Sequence, residues 1–151
     1  MSEFDTELNK FFSEFGIAKK MVLSTSENDV VSSRMMSVVL IDGIFYFQTD
    51  ITMRKYSQIM ANPNVALCID NIQIQGVCKE IGKPLENEAF ASTFEKCYKG
   101  SYDAYSLLKN ERLFAVKPVF IERWQYLNKL PFIETFDLNE RSYKFLRYIG
   151  E

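Results

Sequence analysis

Residues 30 to 49 constrain the fold of this chain more than any other stretch. Val30 to Ile41 reads as a long strand, Asp42-Gly43 as a two-residue turn, and Ile44-Phe45-Tyr46-Phe47-Gln48-Thr49 as the returning strand. Aspartate and glycine both tolerate positive φ, which the tight turns between antiparallel strands require. The end of the first strand, Val38-Val39-Leu40-Ile41, is apolar on both faces, and so is Ile44 to Phe47. Strands of that kind must be covered on two sides. A barrel interior supplies one cover, and a helix or a second subunit supplies the other.

The other segments fit around this hairpin. Phe4, Leu8, Phe11, Phe12 and Phe15 recur at helical spacing, and Gly16 follows as a C-terminal cap. Met21 to Thr25 is a short strand that turns at Glu27-Asn28-Asp29. Met53, Tyr56 and Met60 mark one face of a short helix, which Asn62-Pro63 ends. Val65 to Ile69 reads as a buried strand with Cys68 as a small core residue, and Asn71 to Ile81 as its neighbour. Ile72-Gln73-Ile74-Gln75 alternates, but the apolar parity shifts after Gly76, which predicts a bulge there. Pro84 to Tyr98 reads as a helix broken by Gly100, with a further helical turn or loop from Ser101 to Lys109. Leu113 to Val116 and Val119 to Trp124 form a strand interrupted at Pro118, hence an edge or a bend. Phe132 to Phe136 is a short strand, and Tyr143, Leu146 and Ile149 suggest a last helical face. About six strands, mostly joined by hairpins, favour a mainly β (β+α) antiparallel barrel with helices packed outside over a parallel doubly wound sheet. A length of 151 residues fits one domain.

Composition removes several function classes. The chain contains no histidine, which excludes Ser-His-Asp and Cys-His nucleophile pairs, His-ligated zinc and His-ligated haem. No metal is expected. Any enzyme here must take its chemistry from a cofactor or from carboxylates, Lys, Tyr or Cys. The net charge is -2, so nucleic acid is a poor partner. Cys68, Cys78 and Cys97 are odd in number and lack C-x-x-C spacing, which points to a reducing cytoplasm rather than a disulfide scaffold. The segment Met1 to Asp5 is acidic without an apolar signal core, and no apolar run is long enough to cross a bilayer. The chain is therefore expected to be soluble.

The residues that carry chemistry cluster around the same hairpin. Thr49 ends a strand, the next helix begins near Thr52, and Arg54 and Lys55 sit in its first turn. A helix N-terminus already offers free N–H groups and a partial positive charge, so cations there are disfavoured unless an anion occupies the site. Arg34 lies on the strand that pairs with Ile44 to Thr49 and can reach the same place. Together these side chains suit a phosphate. From residue types alone the alternative stays open: Arg54 and Lys55 as solvated surface residues, and Arg34 paired with a carboxylate.

The ordered pattern Arg34-Met35-Met36, Asp42 to Thr49, Arg54-Lys55, Asn62-Pro63-Asn64-Val65-Ala66-Leu67 and Ile74-Gln75-Gly76 resembles the pyridoxamine 5'-phosphate oxidase-like family. The resemblance runs from about Met21 to Gly82, with weaker support to Trp124. It implies an antiparallel six-stranded split β-barrel with peripheral helices, and a homodimer with FMN at the interface. Arg34, Arg54 and Lys55 would hold the FMN phosphate, and Gln48 and Thr49 would line the same pocket. Backbone groups of Met35, Met36 and Ser37 would face the isoalloxazine ring. Asn71 falls where many members place a glutamine that contacts the flavin. Trp124 would flank the ring or serve as an edge-strand aromatic. The chain departs from the family's true pyridoxamine 5'-phosphate oxidases. Its tail, Arg141 to Arg147, does not match their substrate-gripping segment, no histidine is present for substrate, and Val39 replaces a polar or basic contact.

Two functions remain in view. One is an FMN-dependent oxidoreductase acting on a small molecule with NAD(P)H as donor and no assignable catalytic residue. The other is a non-enzymatic module that binds or stores FMN or another phosphorylated cofactor.

Overall fold

A computed structural model describes residues 1–150. The chain begins with helix α1 (Glu3–Phe15), capped by the Ser2 side chain at its start and by Gly16, at φ 89°, at its end. Strand β1 (Ala18–Glu27) pairs along its whole length with Val30 to Val39 of β2 (Val30–Ile41) through a turn at Asn28 and Asp29, with φ of 51° and 64°. The Asp42-Gly43 turn, with φ of 50° and 78°, leads into β3 (Ile44–Asp50). Helix α2 (Arg54–Ala61) follows, then β4 (Asn64–Ile69) and β5 (Ile72–Glu80). A 3-10 turn at Pro84–Glu86 precedes α3 (Glu88–Cys97) and α4 (Lys99–Tyr105). The chain then runs through β6 (Glu111–Leu127), β7 (Leu130–Asp137) and β8 (Ser142–Arg147).

The strands form one antiparallel sheet in the order β3-β2-β1-β4-β5-β6-β7-β8. Pairing of β3 with β6, from Phe45↔Val116 to Asp50↔Glu111, closes six of them into a barrel and leaves β7 and β8 as an extension. Alternation along the strands sends Met21, Leu23, Phe45, Phe47, Leu67, Ile74 and Phe114 into the interior. Helix α1 adds Phe11 and Phe15 to the same core, packed on Phe136 and Phe45. On the outer side, Val39 of β2 and Leu113 of β6 pack under Phe90 and Phe94 of α3. A helix is thus the second cover that the hairpin required.

The parity shift after Gly76 is a register shift in the β5–β6 ladder, where Gly76 faces Pro118. A Cβ at Gly76 would lie 2.8 Å from the Lys117 carbonyl oxygen, closer than side chains approach. Pro118, which has no N–H to donate, sits at that irregularity. The bulge explains why β6 is neither an edge nor interrupted: it is a central strand of 17 residues.

Four other expectations change. The C-terminal face of Tyr143 and Leu146 belongs to a strand, because β8 pairs with β7 from Ser142 to Arg147. The break after α3 falls at Tyr98, with φ -137° and ψ 56°, and Gly100 lies inside α4. Strand β4 buries Val65 and Leu67, which turns Cys68 outward, and Cys78 of β5 is the buried thiol. In α2 the buried residues are Gln58 and Ile59, while Met53 and Met60 are exposed. No helix among the described residues is long and apolar enough to cross a membrane.

Candidate functional site

Strands β2 and β3 do not stay paired. Their ladder runs only through Val39↔Tyr46, Leu40↔Phe45 and Ile41↔Ile44. Beyond it each strand keeps its far neighbour alone: Ser37, Met36 and Met35 stay with β1, and Gln48, Thr49 and Asp50 stay with β6. The split opens a cleft of about 220 Å³. Met35, Met36 and Ser37 line one side, Gln48 and Glu111 the other, and α3 and α4 add Phe94, Ser101 and Tyr105. The backbone edge that β2 turns towards the split has no strand partner over this stretch, so its polar groups are available to a ligand. The Tyr98 hydroxyl takes one of the carbonyls nearby, donating to Val38 O at 2.9 Å.

Three cations gather at the α2 end of the split. The half-buried Arg34 guanidinium donates to Thr25 Oγ1 at 2.9 Å, to Leu23 O at 3.2 Å and to Gln58 Oε1 at 2.6 Å. Thr25 also donates to Gln58 Oε1, at 2.8 Å. Lys55 Nζ donates to Thr49 Oγ1 at 3.2 Å. All of these acceptors are neutral. Among the described residues, Arg34, Arg54 and Lys55 form no ion pair. Burial, followed by the charge of Arg54, lowers the Arg34 pKa. Burial, followed by the charge of Arg34, lowers that of Lys55, with Glu111 opposing. The three positive charges therefore repel one another in a place with reduced hydration.

Helix α2 reinforces the imbalance. Helices α1 and α3 start with capping side chains, Ser2 and Asn87, and with acidic first turns. Helix α2 has neither a side-chain cap nor an acidic residue in its first turn. Its N-terminal dipole adds to the cations instead of being offset.

Polar burial concentrates at the same place. Among the described residues, the buried polar or charged side chains are Thr25, Gln48, Thr49, Gln58, Ser106, Glu111 and Glu134, and only Glu134 lies outside this region. Gln48 Nε2 donates to Glu111 Oε2 at 2.9 Å, and Ser106 donates to Gln48 Oε1 at 2.8 Å. Burial, with a smaller contribution from Asp50, pushes the Glu111 carboxyl up to about 7.

The structure brings together eight of the nine residues singled out in the sequence: Arg34, Met35, Met36, Ser37, Gln48, Thr49, Arg54 and Lys55. Asn71 stands elsewhere in the single chain, at the β4–β5 turn. Its side chain donates to the Trp124 carbonyl, and both residues line a separate pocket of about 380 Å³. Val39 is sealed beneath α3 and makes no part of the cleft wall. Four contributors were not singled out. Thr25 and Gln58 hold Arg34, and Gln58 was legible as the residue one helical turn after Arg54. Ser106 and Glu111 carried no signal, because polar residues in a helix-to-strand connection normally face water.

No protein-family model matches the chain, and no curated protein matches it. Solved structures do. General Stress Protein 26 from Bacillus anthracis str. Sterne is 20% identical, with 97% of this chain and 100% of that one covered at a TM-score of 0.59. PhzG from Burkholderia lata 383, solved in complex with tetrahydrophenazine-1-carboxylic acid, is 15% identical, with 98% and 96% covered at a TM-score of 0.64. A pyridoxamine 5'-phosphate oxidase-related, FMN binding protein from Nostoc punctiforme PCC 73102 is 12% identical, with 87% of each chain covered at a TM-score of 0.60. The resemblance in the sequence is thus matched by a resemblance in space: the chain has the split-barrel fold of the pyridoxamine 5'-phosphate oxidase-like proteins.

Proposed function

We propose that this protein is an FMN-dependent oxidoreductase of the pyridoxamine 5'-phosphate oxidase-like family, acting in the cytoplasm on a small molecule with NAD(P)H as donor. The observation that carries the reading is the cluster of Arg34, Arg54 and Lys55, which has no carboxylate partner among the described residues and stands at one end of a cleft edged by unpaired backbone. A phosphate relieves the repulsion among the three cations and uses the free N–H groups of the α2 N-terminus. The open edge of β2 at Met35, Met36 and Ser37 suits the hydrogen-bonding rim of a flat heterocycle. The chemistry supplied by bound FMN is hydride transfer, and the protein's part is to bind, orient and exclude water.

A homodimer fits the same surfaces. A cleft of about 220 Å³ falls below the roughly 300 Å³ at which small-molecule sites begin. One chain then makes part of a site, and a second copy completes it. Val31 and Met35 stand exposed on one face of β2, with Cys68 exposed on the same face of β4 beyond β1. This uncovered apolar wall is suited to the second copy. Asn71 and Trp124, remote from the cleft of their own chain, would contribute across that interface.

The test is a visible absorption spectrum of the purified protein before and after adding FMN and desalting. Retained flavin bands are expected, whereas a protein that retains none after loading would overturn the cofactor assignment. Anaerobic NAD(P)H then separates catalysis from storage, since bound flavin that stays oxidised makes the protein a binding module. Light scattering at micromolar concentration should give a dimer.

A further inference from the structure

Glu111 stands at the base of the cleft with half of its carboxylate unaccounted for. Its side chain is 5% exposed, and Oε2 accepts from Gln48. Oε1 accepts no hydrogen bond, yet no buried polar atom is without a partner among the described residues, so Oε1 opens onto the cleft. Gln48 is itself fixed by Ser106, which leaves Glu111 little freedom to turn away.

The charged groups around Glu111 are few. From β3 comes Asp50, its partner across the ladder, which disfavours a second negative charge. From α2 comes Lys55, among the described residues the one cation that favours the ionised form. On β6 itself, Arg112 turns its guanidinium to the backbone carbonyls of Lys109 and Glu111. The cleft wall of β2 contributes only Met35, Met36 and Ser37, and α4 contributes Ser101 and Tyr105. An anion held by Arg34, Arg54 and Lys55 would cancel the field of Lys55 and add negative charge to the same cleft. Both changes drive the carboxylate to take up a proton.

We propose that this site takes its phosphorylated ligand together with a proton, and that Glu111 is the group that receives it. The step is a simple protonation: solvent supplies the proton, the Glu111 carboxylate becomes a carboxylic acid, and its new O–H is available to an acceptor on the ligand ring. The inference rests on the anion-site reading above and adds a coupling to it. In the free protein Glu111 titrates at about 7, so near neutral pH much of it is ionised and ready to respond. A one-unit displacement on binding gives an uptake of roughly half a proton per site near pH 7.5. Linkage then makes the Kd rise roughly threefold per pH unit across that range. The phosphate's own second ionisation works in the opposite direction, since cations favour the dianion, but that release fades well above pH 6.

The experiment is calorimetric titration of FMN into the apoprotein at pH 7.5, in phosphate-free buffers of different ionisation enthalpy. Net uptake is expected for the wild type. Glu111→Gln, which keeps the shape and the neutral character, should bind FMN with no uptake or with slight release. Absence of uptake in the wild type overturns the proposal whether or not the variant folds, and so does equal uptake by wild type and variant. Repeating the titration with inorganic phosphate separates the two layers. Phosphate binding with proton uptake but without FMN binding leaves Glu111 in its role and removes FMN. Failure of both ligands to bind removes the anion site and the coupling with it.

Discussion

Two arginines, each less than fully exposed, sit in opposite electrostatic circumstances. Arg123 on β6 is matched: its Nε donates to Glu134 at 2.7 Å and its Nη1 to Glu14 of α1 at 3.0 Å. Glu134 also accepts from Gln125 at 2.9 Å and from the Tyr143 hydroxyl at 2.7 Å, so the cluster ties α1, β6, β7 and β8 together. Arg34 on β2 has only neutral oxygens, with two further cations nearby. The two buried glutamates repeat the contrast. Glu134 has both oxygens engaged, and Glu111 has one. A saturated ion cluster holds a fold together, whereas an unsaturated one stores an unmet preference for a ligand.

The largest effect should come from breaking the matched cluster. Glu134→Ala leaves Arg123 without its buried partner and should cost about 3–5 kcal/mol of stability in urea unfolding. A loss under 1 kcal/mol would mean that the cluster is not structural. Arg54→Ala should do the reverse, weakening FMN or phosphate binding by about 1.5–3 kcal/mol with stability almost unchanged, because the side chain is exposed and unpaired. Equal ligand affinity in variant and wild type would remove Arg54 from the anion site. Next is pH. Folding raises the Glu111 pKa from the ordinary carboxyl value of 4.5 to about 7, so the folded state prefers the protonated carboxyl. That contribution is complete below the unfolded carboxylate range and is lost as pH rises through about 7. Apoprotein stability should therefore fall by about 2–3 kcal/mol between pH 5 and pH 8, and the fall should be absent in Glu111→Gln. The smallest effect is a gain. Lys55→Met removes a cation whose pKa is lowered by burial and by Arg34, and should stabilise the apoprotein by up to about 1 kcal/mol while weakening phosphate binding. A destabilised variant would show that Lys55 is matched in the folded protein after all.

Legibility followed physical locality. The hairpin at Asp42-Gly43, the N-terminal phenylalanine helix and the bulge at Gly76 were visible because turn chemistry, periodicity and parity are written in adjacent residues. The β8 strand was not, since Tyr143 and Leu146 fit either period and only pairing with β7 decides between them. Pro118 misled for the same reason: the residue that excuses its missing N–H, Gly76, lies on another strand. Within the site, Arg34, Thr49, Arg54 and Lys55 were legible as cations and a hydroxyl in an unusual place at a helix start. Glu111 was not, because the side chain that holds it, Gln48, lies 63 positions away on another strand.

The closing ladder between β3 and β6 has a consequence for how the molecule assembles. It joins segments separated in the chain by α2, β4, β5, α3 and α4, so it forms against a long loop-closure entropy and is expected to follow the local hairpins. The cleft takes one wall from β2 and the other from β3 and β6, so it does not exist until that ladder is made. A ligand has nothing to recognise in earlier species and cannot speed their passage. It acts only on the finished barrel, as a latch that slows unfolding and lengthens the lifetime of the closed state without hastening its formation.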